Sequence, residues 1–144
     1  RIFIFSMAMP RIWKMENAVL FAAGSCWEGV DFPGDMVSSL IIVKLPFAVP
    51  DPIHEAQREQ YRSLESYIQN VVVPDMQKKL RQGFGRAIRT EQDTCVVSIL
   101  DHRAAKKGKY RGDVLDALPK CQMAEKIDEV EDFIRSRKVE RYYS

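Results

Sequence analysis

LIIVKL at residues 40–45 and TCVVSIL at residues 94–100 are short, almost wholly apolar runs, and AVLFAA at residues 18–23 is a third. Runs of this length without polar alternation read as strands buried on both faces, the pattern of a parallel sheet covered by helices. What lies between them reads as helix. Asp51 followed by Pro52 is an N-cap with proline at the first helical position. Ile53, Ala56, Leu64, Tyr67 and Ile68 then give a helical stripe to about residue 69. Pro74 and Asp75 open a second helix, expected from Met76 to about Arg89. A short helix is expected near residues 113–117. A last one carries Met123, Ile127, Val130 and Ile134 on one face, with Glu131 and Arg135 as an i,i+4 pair. Apolar strands alternating with helices give an α/β class with a mostly parallel sheet, layered α-β-α. Residues 1–15 stay ambiguous: Ile2, Phe3, Ile4 and Phe5 suit a strand or a buried helix, and Pro10 interrupts either.

The chain has 144 residues, 46% hydrophobic and 29% charged, which suits one globular domain, with residues 120–144 as a terminal helix and tail. No apolar run approaches the roughly 18 residues of a membrane span, so no membrane partner is expected. The net charge of +2 does not announce a nucleic-acid binder. The distribution says more. Lys78, Lys79, Arg81, Arg86 and Arg89 form one basic cluster, and Arg103, Lys106, Lys107, Lys109 and Arg111 form another. Cys26, Cys95 and Cys121 are odd in number and far apart, so neither a metal site nor an iron–sulfur cluster is expected in the chain, and the setting reads as reducing, intracellular and cytoplasmic. The start at Arg1 reads as a cut within a longer protein.

In LRQGFGRAIR, residues 80–89, a rise of about 100° per residue puts Gln82, Arg86 and Arg89 along one line, opposite Leu80, Phe84 and Ala87. A solvated polar face is the ordinary explanation. Gly83 and Gly85 weaken it, because each costs about 1 kcal/mol relative to alanine inside a helix. Glycine suits a helix that must let a ligand or another domain approach closely. Two arginines one turn apart can converge on one polyanion, with phosphate the natural candidate.

In GSCWEGVDFPG, residues 24–34, two carboxylates, Glu28 and Asp31, flank Gly29 and follow Gly24 and Ser25. Trp27 and Phe32 suggest an anchored loop instead of a solvated one. A paired-acid glycosidase is a weak alternative. Both this loop and the basic segment 101–111 follow a strand's carboxyl end, where α/β sheets place their chemistry.

Taken together, these segments resemble the DinG/XPD group of superfamily-two helicases. Residues 24–34 look like motif V and RQGFGRAIRTEQD, residues 81–93, like motif VI. The KLPF of residues 44–47, the Asp51–Pro52 pair, the ILDHR of residues 99–103, Tyr110 and the Leu118–Pro119 pair fit as well. The likeness runs from about Asn17 to Pro119. Cys26 departs from the usual Phe, Cys95 from a common Gly, and Arg111 interrupts a usual Tyr–Gly pair.

The resemblance implies the later part of the second of two RecA-like domains, with ATP and Mg2+ between them and single-stranded DNA crossing both. It implies that Arg86 and Arg89 reach the triphosphate, that Gln82, Glu28, Gly29 and Asp31 line the nucleotide side, and that Gly24 and Ser25 approach the DNA backbone. No GxxxxGK[ST] and no DEAH-like box occurs. The phosphate cradle and the magnesium ligands therefore fall to the first domain, and this chain alone is expected to be inactive. Two other readings compete: a non-catalytic α/β nucleic-acid or partner-binding module, and a metabolic nucleotide-binding enzyme.

Overall fold

A computed structural model describes residues 2–4, 19–21, 32 and 36–139. The elements are β1 (Ile2–Ile4), β2 (Val19–Phe21), β3 (Ser39–Ile42), α1 (Pro52–Glu59), α2 (Leu64–Tyr67), a π turn (Ile68–Val72), α3 (Val73–Ala87), β4 (Val96–Ile99), a 3-10 turn (His102–Ala104), α4 (Arg111–Ala117) and α5 (Ile127–Arg137). The class is α/β, as expected. β1 pairs with β2 in parallel, with Ile2 opposite Val19 and Ile4 opposite Phe21. This assigns Ile2–Ile4 to a strand, where sequence left the choice open. β3 pairs with β4. The Val96 N–H donates to Ser38 O at 3.0 Å and the Leu100 N–H to Ile42 O at 2.9 Å. Both partners advance by four residues, so this pair is parallel too.

The chain divides into two compact units, one of Arg1–Leu40, Gly85–Val97 and Gln122–Ser144, the other of Ile41–Phe84 and Ser98–Cys121. In the second, the core gathers Ile42, Leu45, Tyr67, Val73, Met76, Leu80, Val114 and Ala117. Met76 and Leu80 are wholly enclosed. The Gln77 side-chain amide donates to Asp113 O at 2.8 Å, tying α3 to the start of α4. Truncating Leu80 to alanine empties a closed site, so it should cost about 2–5 kcal/mol, read as a lower denaturant midpoint in chemical unfolding.

The helices depart from expectation between residues 60 and 74. The Asp51 cap is present, its carboxylate accepting from the His54 N–H at 2.9 Å with Pro52 opening the helix. α1 nonetheless stops at Glu59, short of residue 69. Ser63 then caps a new start, its Oγ accepting from the Ser66 N–H at 3.1 Å. That cap divides the expected stripe: Ile53 and Leu64 are exposed, while Tyr67 is buried against the edge of Tyr61, with centroids 5.6 Å apart. Nor does Pro74 start a helix. α2, the π turn and α3 follow one another without a break. A proline inside an α-helix lacks a donor and crowds the carbonyl four residues back. The wider π turn, with the Val73 N–H bonded to Ile68 O, accommodates it.

The strands are less covered than their composition suggests. β3 alternates, with Ile42 buried and Ile41 59% exposed, and in β2 both Val19 and Phe21 are exposed. In α5 the Glu131–Arg135 pair forms at 2.8 Å, but Ile127, expected on the apolar face, is 84% exposed, and only Val130, Phe133 and Ile134 are half-buried. Among the described residues no helix is long and apolar enough to cross a membrane.

Candidate functional site

α3 carries Gln82 and Arg86 of the segment that resembles motif VI. Its buried stripe is Val73, Met76, Leu80 and Ala87, with Gly83 also buried. At about 100° per residue, the side opposite that stripe belongs to Lys78, Arg81 and Gly85, which are exposed. Gln82 and Arg86 flank it and are half-buried, along with Asp75 and Lys79, which pair at 3.0 Å. The expected line opposite the core is therefore displaced to its margin. A Cβ at Gly85 would meet no atom within 4 Å, so nothing in the described structure requires glycine there.

The helix ends at Ala87, two residues before Arg89. Arg89 is exposed and is not a helical residue, so the wheel that aligned it with Gln82 does not reach it. The reason is local. Asp93 Oδ2 accepts from the Arg89 and Thr90 N–H groups, each at 2.9 Å, and the Asp93 N–H returns to Thr90 O at 3.2 Å. The Asp93 carboxylate thus bonds two backbone donors just beyond the last helical residue and closes a turn there. Those donors, Arg89 first, hold its pKa below the usual carboxylate value. Asp93 is the anchor that fixes the backbone at Arg89. An Asp closing a turn three residues after Thr90 was the available signal. Gly24, Ser25, Glu28, Gly29 and Asp31 lie outside the described residues.

The second unit joins residues that the sequence offered only as separate matches to the family pattern and as part of a basic cluster. Asp101, directly after β4, is buried, with 3% of its side chain exposed. Its carboxylate accepts from the Leu45 N–H at 2.9 Å, from the Arg103 N–H at 3.0 Å, and from the Arg103 guanidinium through Nε at 3.0 Å and Nη2 at 2.6 Å. Arg103 holds the carboxyl far below the ordinary value, and the Leu45 and Arg103 N–H groups add to this against burial. The guanidinium lies 4.7 Å from the centre of the Phe47 ring, which meets Tyr110 at 4.9 Å between centroids. The KLPF segment after β3, the DHR turn and Tyr110 are thus joined in one clasp. Among the described residues no group of three or more His, Cys, Asp or Glu could hold a metal ion.

The helicase C-terminal domain family matches residues 6–121. Over 134 residues, 90% of the chain, the sequence is 40% identical to the 3'-5' exonuclease DinG of Bacillus subtilis, covering 14% of that protein. It is 42% identical over 106 residues, 72% of the chain, to the ATP-dependent DNA helicase DinG of Photobacterium profundum, of which it covers 15%. It is 36% identical over 126 residues, 86% of the chain, to the ATP-dependent DNA helicase YoaA of Haemophilus influenzae, of which it covers 20%. The chain therefore spans a fifth or less of the length of these relatives. No solved structure gives a significant match. The family match over most of the chain and its parallel α/β fold agree, and the chain belongs to the helicase C-terminal domain family, of the DinG type.

Proposed function

We propose that this chain is the C-terminal motor-domain part of an ATP-dependent DNA helicase, supplying one wall of an ATP site shared with a first RecA-like domain of the same protein. The observation that supports this most is the QGFGRAIR segment: Gln82 and Arg86 half-buried on α3, and Arg89 exposed on a backbone pinned by Asp93. Guanidinium and amide groups are donors suited to phosphate oxygens. Gly85, open to space, leaves room for a surface from outside the described chain.

In this reading Gln82, Glu28, Gly29 and Asp31 line the nucleotide side, and Gly24 and Ser25 approach single-stranded DNA. The first domain holds most of the ATP and its Mg2+. Phosphoryl transfer depends on positioning and on neutralising charge. When the domains close, Arg86 and Arg89 approach the γ-phosphate and stabilise the charge that develops on its oxygens. Hydrolysis removes that attraction, the cleft opens, and the grip on the strand advances. The reading places the protein in the cytoplasm.

The test is ATP hydrolysis by the full-length protein with and without a single-stranded oligonucleotide. Turnover stimulated by the strand is expected, with none from residues 1–144 alone. A full-length protein that binds the strand but neither binds nor hydrolyses ATP would leave the non-catalytic module as the better description.

A further inference from the structure

The most strongly charged surface that the motif VI reading leaves unused is the turn after β4. From His102 to Gly112 the chain carries Arg103, Lys106, Lys107, Lys109 and Arg111 and no acid. This segment is closed on itself. The Gly108 N–H donates to Ala105 O at 2.7 Å and the Tyr110 N–H to Arg103 O at 2.9 Å. A Cβ at Gly108 would collide with the backbone carbonyls of Arg103 and His102, so only glycine lets the returning limb lie this close. Phe47 packs on Tyr110 and under Arg103, and Asp101 fixes Arg103 from the buried side.

The charges divide into two sets. Arg103 is matched by Asp101. Lys106, Lys107 and Lys109 are exposed, and among the described residues neither Lys107 nor Lys109 has a carboxylate within ion-pair distance. Lys109 Nζ instead lies 5.4 Å from the centre of the Tyr110 ring. Like charges held this close in sequence on a closed turn repel one another, and a polyanion relieves that repulsion. The aromatic rings are half-buried and already engaged with cations, so the surface offers ammonium groups to phosphates and not ring faces to bases.

We infer that the 102–111 turn is a phosphate-backbone contact for a single nucleic-acid strand, through Lys107 and Lys109, separate from Gly24 and Ser25. This rests on the DNA-motor reading above and adds a contact to it. Its binding is independent of base sequence and is weakened by salt.

The experiment uses the full-length protein and a fluorescent oligo(dT) strand, with affinity measured across a salt series. The double variant Lys107→Gln/Lys109→Gln should bind more weakly and lose about 1.4 from the slope of log affinity against log salt, at about 0.7 per phosphate. ATP turnover at saturating strand should be retained. The variant Arg58→Gln/Arg62→Gln, which removes two exposed charges elsewhere, should keep the wild-type slope. An unchanged slope in the Lys107/Lys109 variant, or an equal loss in the Arg58/Arg62 variant, would overturn the contact while leaving the motor reading intact. Wild-type protein that fails to bind the strand would remove both. A loss confined to capture of an acidic protein, with strand binding unchanged, would reassign the turn to a protein partner.

Discussion

Arg89→Ala in the full-length protein should lower ATP turnover by about 10³–10⁵-fold, the range of a transition-state arginine supplied to a nucleotide hydrolase, while DNA affinity stays near wild type. The expectation follows from where the residue stands. Arg89 is exposed immediately beyond α3, and Asp93 fixes its backbone through the two N–H bonds. A side chain leaving an anchored backbone loses less freedom on reaching a phosphate. Arg89→Lys should recover little, because an ammonium is a point charge without the planar fork. Steady-state ATP hydrolysis alongside oligonucleotide binding separates the cases. Turnover near wild type would defeat the role, and parallel loss of turnover and DNA binding would indicate a structural one.

Asp101→Ala should be the most destabilising single change in the buried clasp that joins the segments after β3 and β4, at about 2–3 kcal/mol. It strips partners from the Leu45 N–H, the Arg103 N–H and the guanidinium at once. The figure is set below that for a fully buried pair because Arg103 keeps 37% of its side chain exposed, and water takes over part of its charge. Asp101→Asn should lose less, since it keeps one acceptor oxygen. The pH dependence has a definite sign. The folded-state pKa of Asp101 is depressed, so its contribution is complete above the ordinary value of 3.8 and is lost as pH falls below it. The gap between wild type and Asp101→Ala, measured by denaturant midpoints, should therefore be constant near neutrality and shrink in acid. A gap that widened as pH fell would show that the carboxylate is not the stabilising form.

Local chemistry was legible where both partners lie within one turn. Asp51 with Pro52 caps α1, and Glu131 pairs with Arg135, because a side chain three or four residues away is a neighbour whatever the rest of the chain does. Of the stripe expected on α3, Leu80 and Ala87 are buried for the same reason, while Phe84 is only half-buried. Where two local signals competed, sequence misjudged the winner. Ser63 captured the Ser66 N–H and divided a helix that periodicity had joined, and the π turn carried the chain through Pro74, where proline had suggested a start. Asp93 ended α3 before Arg89 by offering backbone donors an acceptor outside the helix.

The α/β class, the family and the presence of its two arginines were settled by the order of residues alone, because strand and helix periods and motif spacings are properties of neighbours along the chain. The meeting of Asp101 with Leu45 was not, since 56 residues separate them and no local period links the two. Neither was the margin position of Gln82 and Arg86 nor the exposure of Ile127. Burial depends on which other element arrives to cover a face, and only the folded chain decides that.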